Sequence, residues 1–98
     1  MIDGSFPIGA RMVTREEGFE AYNPTTGETI GPRFSVSTTD DVAEACALAA
    51  QAFDTFRETT PDDRAAFLEE VASQIEALGD ELVERAMAES GLPQARLT

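Results

Sequence analysis

Apolar residues alternate with polar ones in the first third of the chain and recur at helical spacing in the rest. Residues 1–37 hold five of the seven glycines. Within them, Phe19–Gly31 (FEAYNPTTGETIG) alternates over its first residues, as a strand does, and Pro24 and Gly27 then supply turn chemistry. This segment predicts a strand, a turn and a second strand. Arg11–Thr14 predicts an earlier short strand that pairs with this region.

Residues 38–98 predict three helices, the first two with well-defined starts. Thr38 is a suitable N-cap of the first helix, and Thr60 followed by Pro61 begins the second. The first apolar stripe has three- and four-residue steps and consists of Val42, Ala45, Cys46, Ala49, Ala52, Phe53 and Phe56. The second stripe consists of Phe67, Leu68, Val71, Ala72, Ile75 and Leu78. Gly79 fits the left-handed position that ends a helix.

The third helix is predicted to begin at Asp80 as its N-cap and to end at Gly91 and Pro93. Glu81 and Arg85 are four residues apart, so we expect them to form an ion pair along this helix. The sequence as a whole therefore predicts short strands or a hairpin followed by three α-helices.

Net charge excludes some partners. The chain carries 19 acidic against 7 basic residues, a formal charge of −12, which disfavours binding to nucleic acid and to anionic membrane surfaces. One cysteine cannot form an internal disulfide, and neither a signal peptide nor a long apolar stretch is visible. These features favour a cytoplasmic protein with no nucleic-acid or membrane partner.

Candidate catalytic residues are few. Histidine is absent, which removes the commonest general base. Cys46 falls on the first apolar stripe, so we expect a buried, unreactive thiol. The acidic residues Asp40, Asp41 and Glu44 are explained by helix capping, and they do not follow the calcium-loop pattern. No G-x-G-x-x-G or G-K-[ST] sequence is present. The residues thus predict neither a catalytic nor a cofactor-binding site.

The order of these landmarks strongly resembles the N-terminal part of the aldehyde dehydrogenase superfamily. The family's N-P-x-T-G-E turn is matched by Asn23, Pro24, Thr26, Gly27 and Glu28. Its D-V-x-x-A…A-x-x-A-F helix is matched by Asp41, Val42, Ala45, Ala49, Ala52 and Phe53. Its R-A-x-x-L…I-E segment is matched by Arg64, Ala65, Leu68, Ile75 and Glu76. The resemblance covers Ile8–Thr98, and Phe56–Thr98 is similar to the α-ketoglutaric semialdehyde and NADP-dependent fatty aldehyde dehydrogenases.

The resemblance implies an α/β parent enzyme that oxidises an aldehyde to a carboxylate with NAD or NADP and forms homo-oligomers. Residues 1–98 would be an incomplete, N-terminal part of its cofactor-binding domain, with strands and turns in 1–37 and helices in 38–98. Their partner would be the rest of the dehydrogenase chain. The aldehyde would be a semialdehyde, such as α-ketoglutaric semialdehyde, or a fatty aldehyde.

The family's catalytic cysteine, glutamate base, oxyanion asparagine and cofactor-binding segments lie beyond the matched region. None is carried over to this sequence, so we expect the chain alone to bind no cofactor and to have no dehydrogenase activity. Many relatives bind a monovalent cation through the backbone carbonyl before the N-P turn. By that resemblance the ligand here would be Tyr22, with Ala21 as a second candidate. An ordinary strand end is the favoured explanation of these residues, since a carbonyl leaves no sequence signature.

Two alternatives to the dehydrogenase interpretation stay open. In the first alternative, the chain is a free-standing acidic helical module that binds another protein through its alanine-rich stripe. In the second, it is an inactive remnant of a truncated gene. Composition and periodicity do not separate these three possibilities. The order of the landmarks favours the dehydrogenase.

Overall fold

The computed structural model describes residues 2–98 and contains four short strands followed by three α-helices and one 3₁₀ turn. The strands are β1 (Phe6–Ile8), β2 (Arg11–Val13), β3 (Gly18–Tyr22) and β4 (Thr29–Ser35). The helices are α1 (Thr39–Phe56), α2 (Pro61–Ala77) and α3 (Gly79–Ser90), and the 3₁₀ turn is Gln94–Arg96. The predicted order of strands and then three helices is confirmed.

The strands form two separate antiparallel pairs, β1 with β2 and β3 with β4. The prediction that Arg11–Thr14 pairs with the β3–β4 region is wrong, because β2 pairs with β1 in the register Ile8↔Arg11. The two-residue connection between them contains Gly9 in the left-handed region, with φ of 60°. A tight turn of this kind closes a local hairpin at a lower entropic cost than pairing with a distant strand.

The second pair is the predicted strand–turn–strand unit. β3 and β4 pair in the register Tyr22↔Thr29 and Phe19↔Phe34, with an irregularity between Phe19 and Ala21. The rings of Phe19 and Phe34 stack with centroids 5.9 Å apart. This cross-strand aromatic contact stabilises the end of the hairpin farthest from its turn.

The helix ends follow local sequence signals at four of the predicted positions. Thr38 and Asp41 form a reciprocal capping box at α1, and Thr60 accepts a hydrogen bond from the Asp63 amide at α2. The residues that end α2 and α3, Gly79 and Gly91, have φ of 53° and 72°.

Asp80 is not the N-cap of α3. Leu78 is the one residue between α2 and α3, and Asp80 lies within the first turn of the third helix. With so short a connection, the left-handed Gly79 both ends α2 and begins α3. This leaves no separate capping residue, and Leu78 makes no side-chain capping bond.

The molecule is a thin slab. Its principal extents are 49 × 34 × 17 Å and its radius of gyration is 17.0 Å, against about 13 Å for a compact chain of this length. A 17 Å thickness accommodates little more than one layer of helix. Ile8 and Val13 are the buried hydrophobic residues of the described chain, so its core is confined to the first hairpin.

Most of the predicted helical stripes therefore face solvent. The exposed large apolar residues of α1, α2 and the short connection after α2 include Val42, Phe53, Phe56, Phe67, Leu68, Val71, Ile75 and Leu78. Cys46 is also exposed, so the expectation of a buried thiol is wrong. Within residues 2–98 the apolar stripe of α1 stays largely exposed, although the helix contacts β1.

A membrane-spanning helix needs about 20 apolar residues, and the helices within residues 2–98 include none of that kind.

Candidate functional site

The β3–β4 turn determines where the predicted cation-binding carbonyls point. The amide of Asn23 donates to the Glu28 carbonyl at 2.8 Å, so these residues form a hydrogen-bonded pair of the ladder. Hydrogen-bonded and non-hydrogen-bonded pairs alternate in an antiparallel ladder. Tyr22, opposite Thr29, is therefore a non-hydrogen-bonded position whose carbonyl is directed away from β4.

Ala21 occupies the other kind of position. Its partner is Ile30, and the alternation makes this pair a hydrogen-bonded one, with the Ala21 carbonyl directed into the ladder. The two residues that the resemblance named are thus not equivalent. The Tyr22 carbonyl faces outward from the hairpin, whereas the Ala21 carbonyl faces β4.

The turn that follows Tyr22 is held by its own polar groups. The Asn23 side-chain oxygen accepts from the amides of Thr25 at 2.9 Å and Thr26 at 3.3 Å. The Gly27 amide donates to the Asn23 carbonyl at 2.9 Å, and Gly27 has φ of 79°. Asparagine and glycine at these positions fix the backbone directly after Tyr22.

The hairpin is held against α3 by Arg85. Its Nη1 donates to the Gly31 carbonyl, its guanidinium carbon lies 5.4 Å from the centroid of the Phe34 ring, and its Nε donates to Glu89 at 2.8 Å. The Arg85 side chain is 17% exposed. The ion pair of Arg85 is thus with Glu89, four residues after it, and not with Glu81, four residues before it, as the sequence predicted.

A second contact places the hairpin turn at the carboxyl end of α3. A Cβ atom added to Gly91 would lie 3.4 Å from the Thr25 hydroxyl and 3.5 Å from the Pro24 ring. Together with Arg85, this contact aligns the hairpin along α3. The sequence predicted the Gly91 helix end, but it gave no signal that the turn packs there.

A partly buried ion pair joins the start of α1 to the segment after β2. Arg15 Nε donates to Asp41 Oδ2 at 2.9 Å, and Nη2 donates to Oδ1. The Asp41 side chain is 4% exposed and that of Arg15 is 37% exposed. The Arg15 amide also donates to the Ser35 hydroxyl at 2.9 Å, which brings the end of β4 into the same cluster.

These contacts shift the pKa values of both partners. The Arg15 guanidinium, assisted by the Thr38 amide at 2.9 Å, holds the pKa of Asp41 well below its usual range. The hydrogen bonds to Asp41 raise the pKa of Arg15. The sequence identified Asp41 as a capping residue, but its partnership with Arg15, 26 residues away, was missed because the spacing carries no pattern.

The first turns of α1 and α2 disfavour a bound phosphate. Helix N-termini bind phosphate when the first turn is neutral or basic and glycine-rich, but α1 begins with Asp40 and Asp41 and α2 with Asp62 and Asp63. Residues 2–98 also contain no group of three or more His, Cys, Asp or Glu side chains that could hold a metal ion.

Comparison with known proteins gives the family. The sequence model of the aldehyde dehydrogenase family matches residues 12–98, and the chain belongs to this family. The chain is 49% identical to "Alpha-ketoglutaric semialdehyde dehydrogenase 2" of Azospirillum brasilense over 98% of its length and 19% of that protein. It is 43% identical to "Alpha-ketoglutaric semialdehyde dehydrogenase" of Acinetobacter baylyi, over 94% of this chain and 18% of the relative.

A third relative is "Vanillin dehydrogenase" of Pseudomonas fluorescens, 34% identical over 88% of this chain and 18% of the relative. No solved structure gives a significant match. The chain thus spans about a fifth of the length of the curated relatives that it matches. Two antiparallel strand pairs followed by three helices are consistent with the N-terminal portion of an aldehyde dehydrogenase fold.

Proposed function

We propose that this chain is the N-terminal part of the cofactor-binding domain of an NAD(P)-dependent aldehyde dehydrogenase. The parent enzyme oxidises an aldehyde to a carboxylate, works in the cytoplasm and forms homo-oligomers. The observation that carries the proposal is the family match over residues 12–98, combined with a coverage of 19% of a relative that is 49% identical.

A semialdehyde is the proposed substrate class. Two of the three relatives named above are α-ketoglutaric semialdehyde dehydrogenases, and the third carries the name of an aromatic aldehyde, vanillin. A fatty aldehyde is the second candidate, because Phe56–Thr98 is similar to the NADP-dependent fatty aldehyde dehydrogenases. The reacting groups and the NAD or NADP site belong to the remainder of the enzyme.

The role of residues 1–98 within that enzyme is to act as a scaffold. The acidic first turns of α1 and α2 disfavour a phosphate, and the exposed apolar faces need another layer of protein to cover them. We therefore expect no dehydrogenase activity and no cofactor binding from this chain alone.

The cation site is proposed at the Tyr22 carbonyl. Its support is the outward direction of this carbonyl and the rigid turn after it, which together offer one preoriented oxygen ligand. Hard monovalent cations need several oxygen ligands, so the others would come from outside residues 2–98. Ala21 is the weaker candidate because its carbonyl faces β4.

A free-standing protein-binding module is the second candidate, favoured by the same exposed apolar helix faces. The coding DNA beyond the Thr98 codon separates the two. A continuing frame with a glycine-bearing nucleotide segment and a later catalytic cysteine is the expected result. A stop codon directly after Thr98 would contradict the dehydrogenase proposal, and a sharp cooperative melt of the monomeric chain would then support the module.

A further inference from the structure

Residues 2–5 lie beside β4 without belonging to a strand or a helix, and we call this segment the strap. Two hydrogen bonds join the strap to other parts of residues 2–98. The Ser35 amide donates to the Gly4 carbonyl at 2.9 Å, and the Ile2 amide donates to Glu81 Oε1 at 3.1 Å. One bond thus fastens the strap to the end of β4, and the other fastens it to the first turn of α3.

Gly4 is the residue at which the strap meets β4 most closely. It is buried, it has φ of 80°, and a Cβ atom added to it would lie 2.0 Å from the Arg33 carbonyl oxygen. Next to it, Asp3 Oδ1 accepts from the Ser5 amide at 3.0 Å and from the Ser5 hydroxyl at 2.6 Å. The strap is thus a preformed turn whose close fit to β4 requires glycine at position 4.

The strap is one wall of an open cleft of about 440 Å³ between the β3–β4 hairpin and α3. Ile2 lines this cleft from the strap, Gly31 from β4 and Arg85 from α3. Nη2 of Arg85 is buried and, among residues 2–98, has no hydrogen-bond partner. A buried donor without a partner raises the free energy of the arrangement that buries it. An arrangement in which water or another acceptor reaches Nη2 would remove this cost.

We propose that the strap is a latch that opens and closes over this cleft, hinged where β1 begins at Phe6. In the closed state, both hydrogen bonds are made and Ile2 forms one side of the cleft. In the open state, both bonds are broken and Nη2 of Arg85 bonds to water or to a carbonyl or carboxylate oxygen. The latch goes beyond the proposed function, because it is a motion within this chain and requires neither an aldehyde nor a nicotinamide cofactor.

Local opening is expected because the strap is held more weakly than β4 is. β4 pairs with β3 at both of its ends, and the stacked rings of Phe19 and Phe34 reinforce that pairing. The strap is held by its two hydrogen bonds, and Glu81, the acceptor of one of them, is exposed. Segments with few buried contacts open at a smaller free energy than the strands beside them. The strap should therefore open while the hairpin stays folded.

Two neighbouring amides report the two sides of β4 separately. The Ser35 amide donates to the strap, whereas the Val36 amide donates to the Glu17 carbonyl at 2.8 Å, on the side of β3. Amide hydrogen exchange of this chain, measured by NMR, should show both amides protected, with a protection factor at Ser35 about tenfold or more below that at Val36. Equal protection at the two amides would overturn the proposal, because the strap would then open only together with the hairpin. No protection at Ser35 would overturn it as well, because the strap would then have no closed state.

Glu81→Ala tests the bond between the strap and α3. Removing the acceptor of the Ile2 amide should lower protection at Ser35 about fivefold and leave that at Val36 within about twofold of wild type. Glu84→Ala is the matched control, because it removes the same charge from the wall of the cleft but not the acceptor of a strap bond, and it should leave both amides unchanged. Equal protection at Ser35 in E81A and in wild type would overturn the latch, as would an equal loss in E84A.

Gly4→Ala is an independent test at the other attachment. The added methyl group would displace the strap from Arg33, so protection at Ser35 should fall about tenfold while that at Val36 stays within about twofold of wild type. Unchanged protection at Ser35 would contradict the close fit of the strap to β4. An equal loss at Ser35 and Val36 would show that the strap and the hairpin are one unit, and it would also overturn the proposal.

Exposure of Arg85 in the open state is tested with phenylglyoxal, which modifies accessible guanidinium groups. The adduct at Arg85, quantified by peptide mass spectrometry, should form about threefold faster in E81A than in E84A. Arg57, whose side chain is 56% exposed, serves as the reference in the same sample and should react at one rate in both variants. An equal rate at Arg85 in E81A and E84A would overturn the claim that opening of the strap frees this guanidinium.

Discussion

Arg15 and Asp41 form an ion pair through two hydrogen bonds and join the segment after β2 to the first turn of α1. Asp41 also closes the capping box with Thr38, so one carboxylate both caps a helix and binds a distant arginine. In a slab with a small apolar core, this cluster is a principal link between the strands and the helices.

Asp41→Asn should lower the melting temperature at neutral pH and flatten the acid limb of the stability profile. Its carboxyl has a lower pKa in the folded chain than when unfolded, so it stabilises the fold above the unfolded pKa of about 4. This stabilisation is lost as the pH falls below about 5 towards the folded pKa. Circular dichroism at 222 nm against pH, for both proteins, measures the difference.

Glu44→Gln is the matched control for that experiment. Glu44 pairs with Arg11 at 2.5 Å, but both side chains are about half exposed, and exposed pairs contribute little. Its pH profile should follow that of the wild-type chain. An Asp41→Asn profile that also follows wild type would show that the Arg15–Asp41 pair does not stabilise the fold.

Arg85→Met should detach the β3–β4 hairpin from α3. The substitution removes a charged hydrogen bond to the Gly31 carbonyl and the contact with the Phe34 ring, together about 2 kcal/mol. Urea unfolding measures the free energy, and the aromatic proton shifts of Phe34 report the local change. Arg85→Lys keeps the charge but lacks the planar fork, so wild-type stability in R85K would contradict a role for guanidinium geometry.

Cys46 should react with a thiol reagent in the native isolated chain, because its side chain is exposed. Labelling with Ellman's reagent should reach one thiol per chain at a rate close to that in urea. The urea-unfolded chain serves as the control for full reactivity. A large protection of Cys46 without urea would mean that α1 is covered, for example by self-association of the chain.

The cation site is tested through the one tyrosine of the chain. Labelling tyrosine with ¹³C at the carbonyl gives a single resonance, from Tyr22. When this chain, labelled on its own, is combined with an unlabelled Azospirillum relative that lacks the matching N-terminal fifth, this signal should shift on titration with a monovalent cation, because the outward carbonyl becomes a ligand. A chain labelled at the alanine carbonyls serves as the comparison, and a shift at Ala21 with none at Tyr22 would contradict the assignment.

Local chemistry allowed most helix ends to be predicted from the sequence. Thr38, Thr60, Gly79 and Gly91 act within a few residues of themselves, through hydrogen bonds to neighbouring amides or through a left-handed backbone. The Phe19–Gly31 hairpin was predicted for the same reason. Asp80 was misassigned because the Leu78 connection is too short to need a separate cap.

Tertiary choices were not predictable from the sequence. The composition of β2 allows it to pair with either β1 or β3. The tight turn at Gly9 favours pairing with β1. Arg85 bonds to Gly31, 54 residues away, and Arg15 to Asp41, which no periodicity reveals. The burial of Cys46 was wrongly expected because an apolar stripe shows which face would be covered, and not whether a covering layer is present.

The central claim, that this chain is one part of an aldehyde dehydrogenase, is tested most directly by NAD(P)H absorbance with α-ketoglutaric semialdehyde as substrate. The isolated chain and an Azospirillum relative that lacks the matching N-terminal fifth should each be inactive, and the pair co-purified after co-expression should reduce NAD⁺ or NADP⁺ only when the aldehyde is present. Aldehyde-dependent turnover by residues 1–98 alone, or an assembled pair with no turnover on this or other aldehydes, would contradict the account.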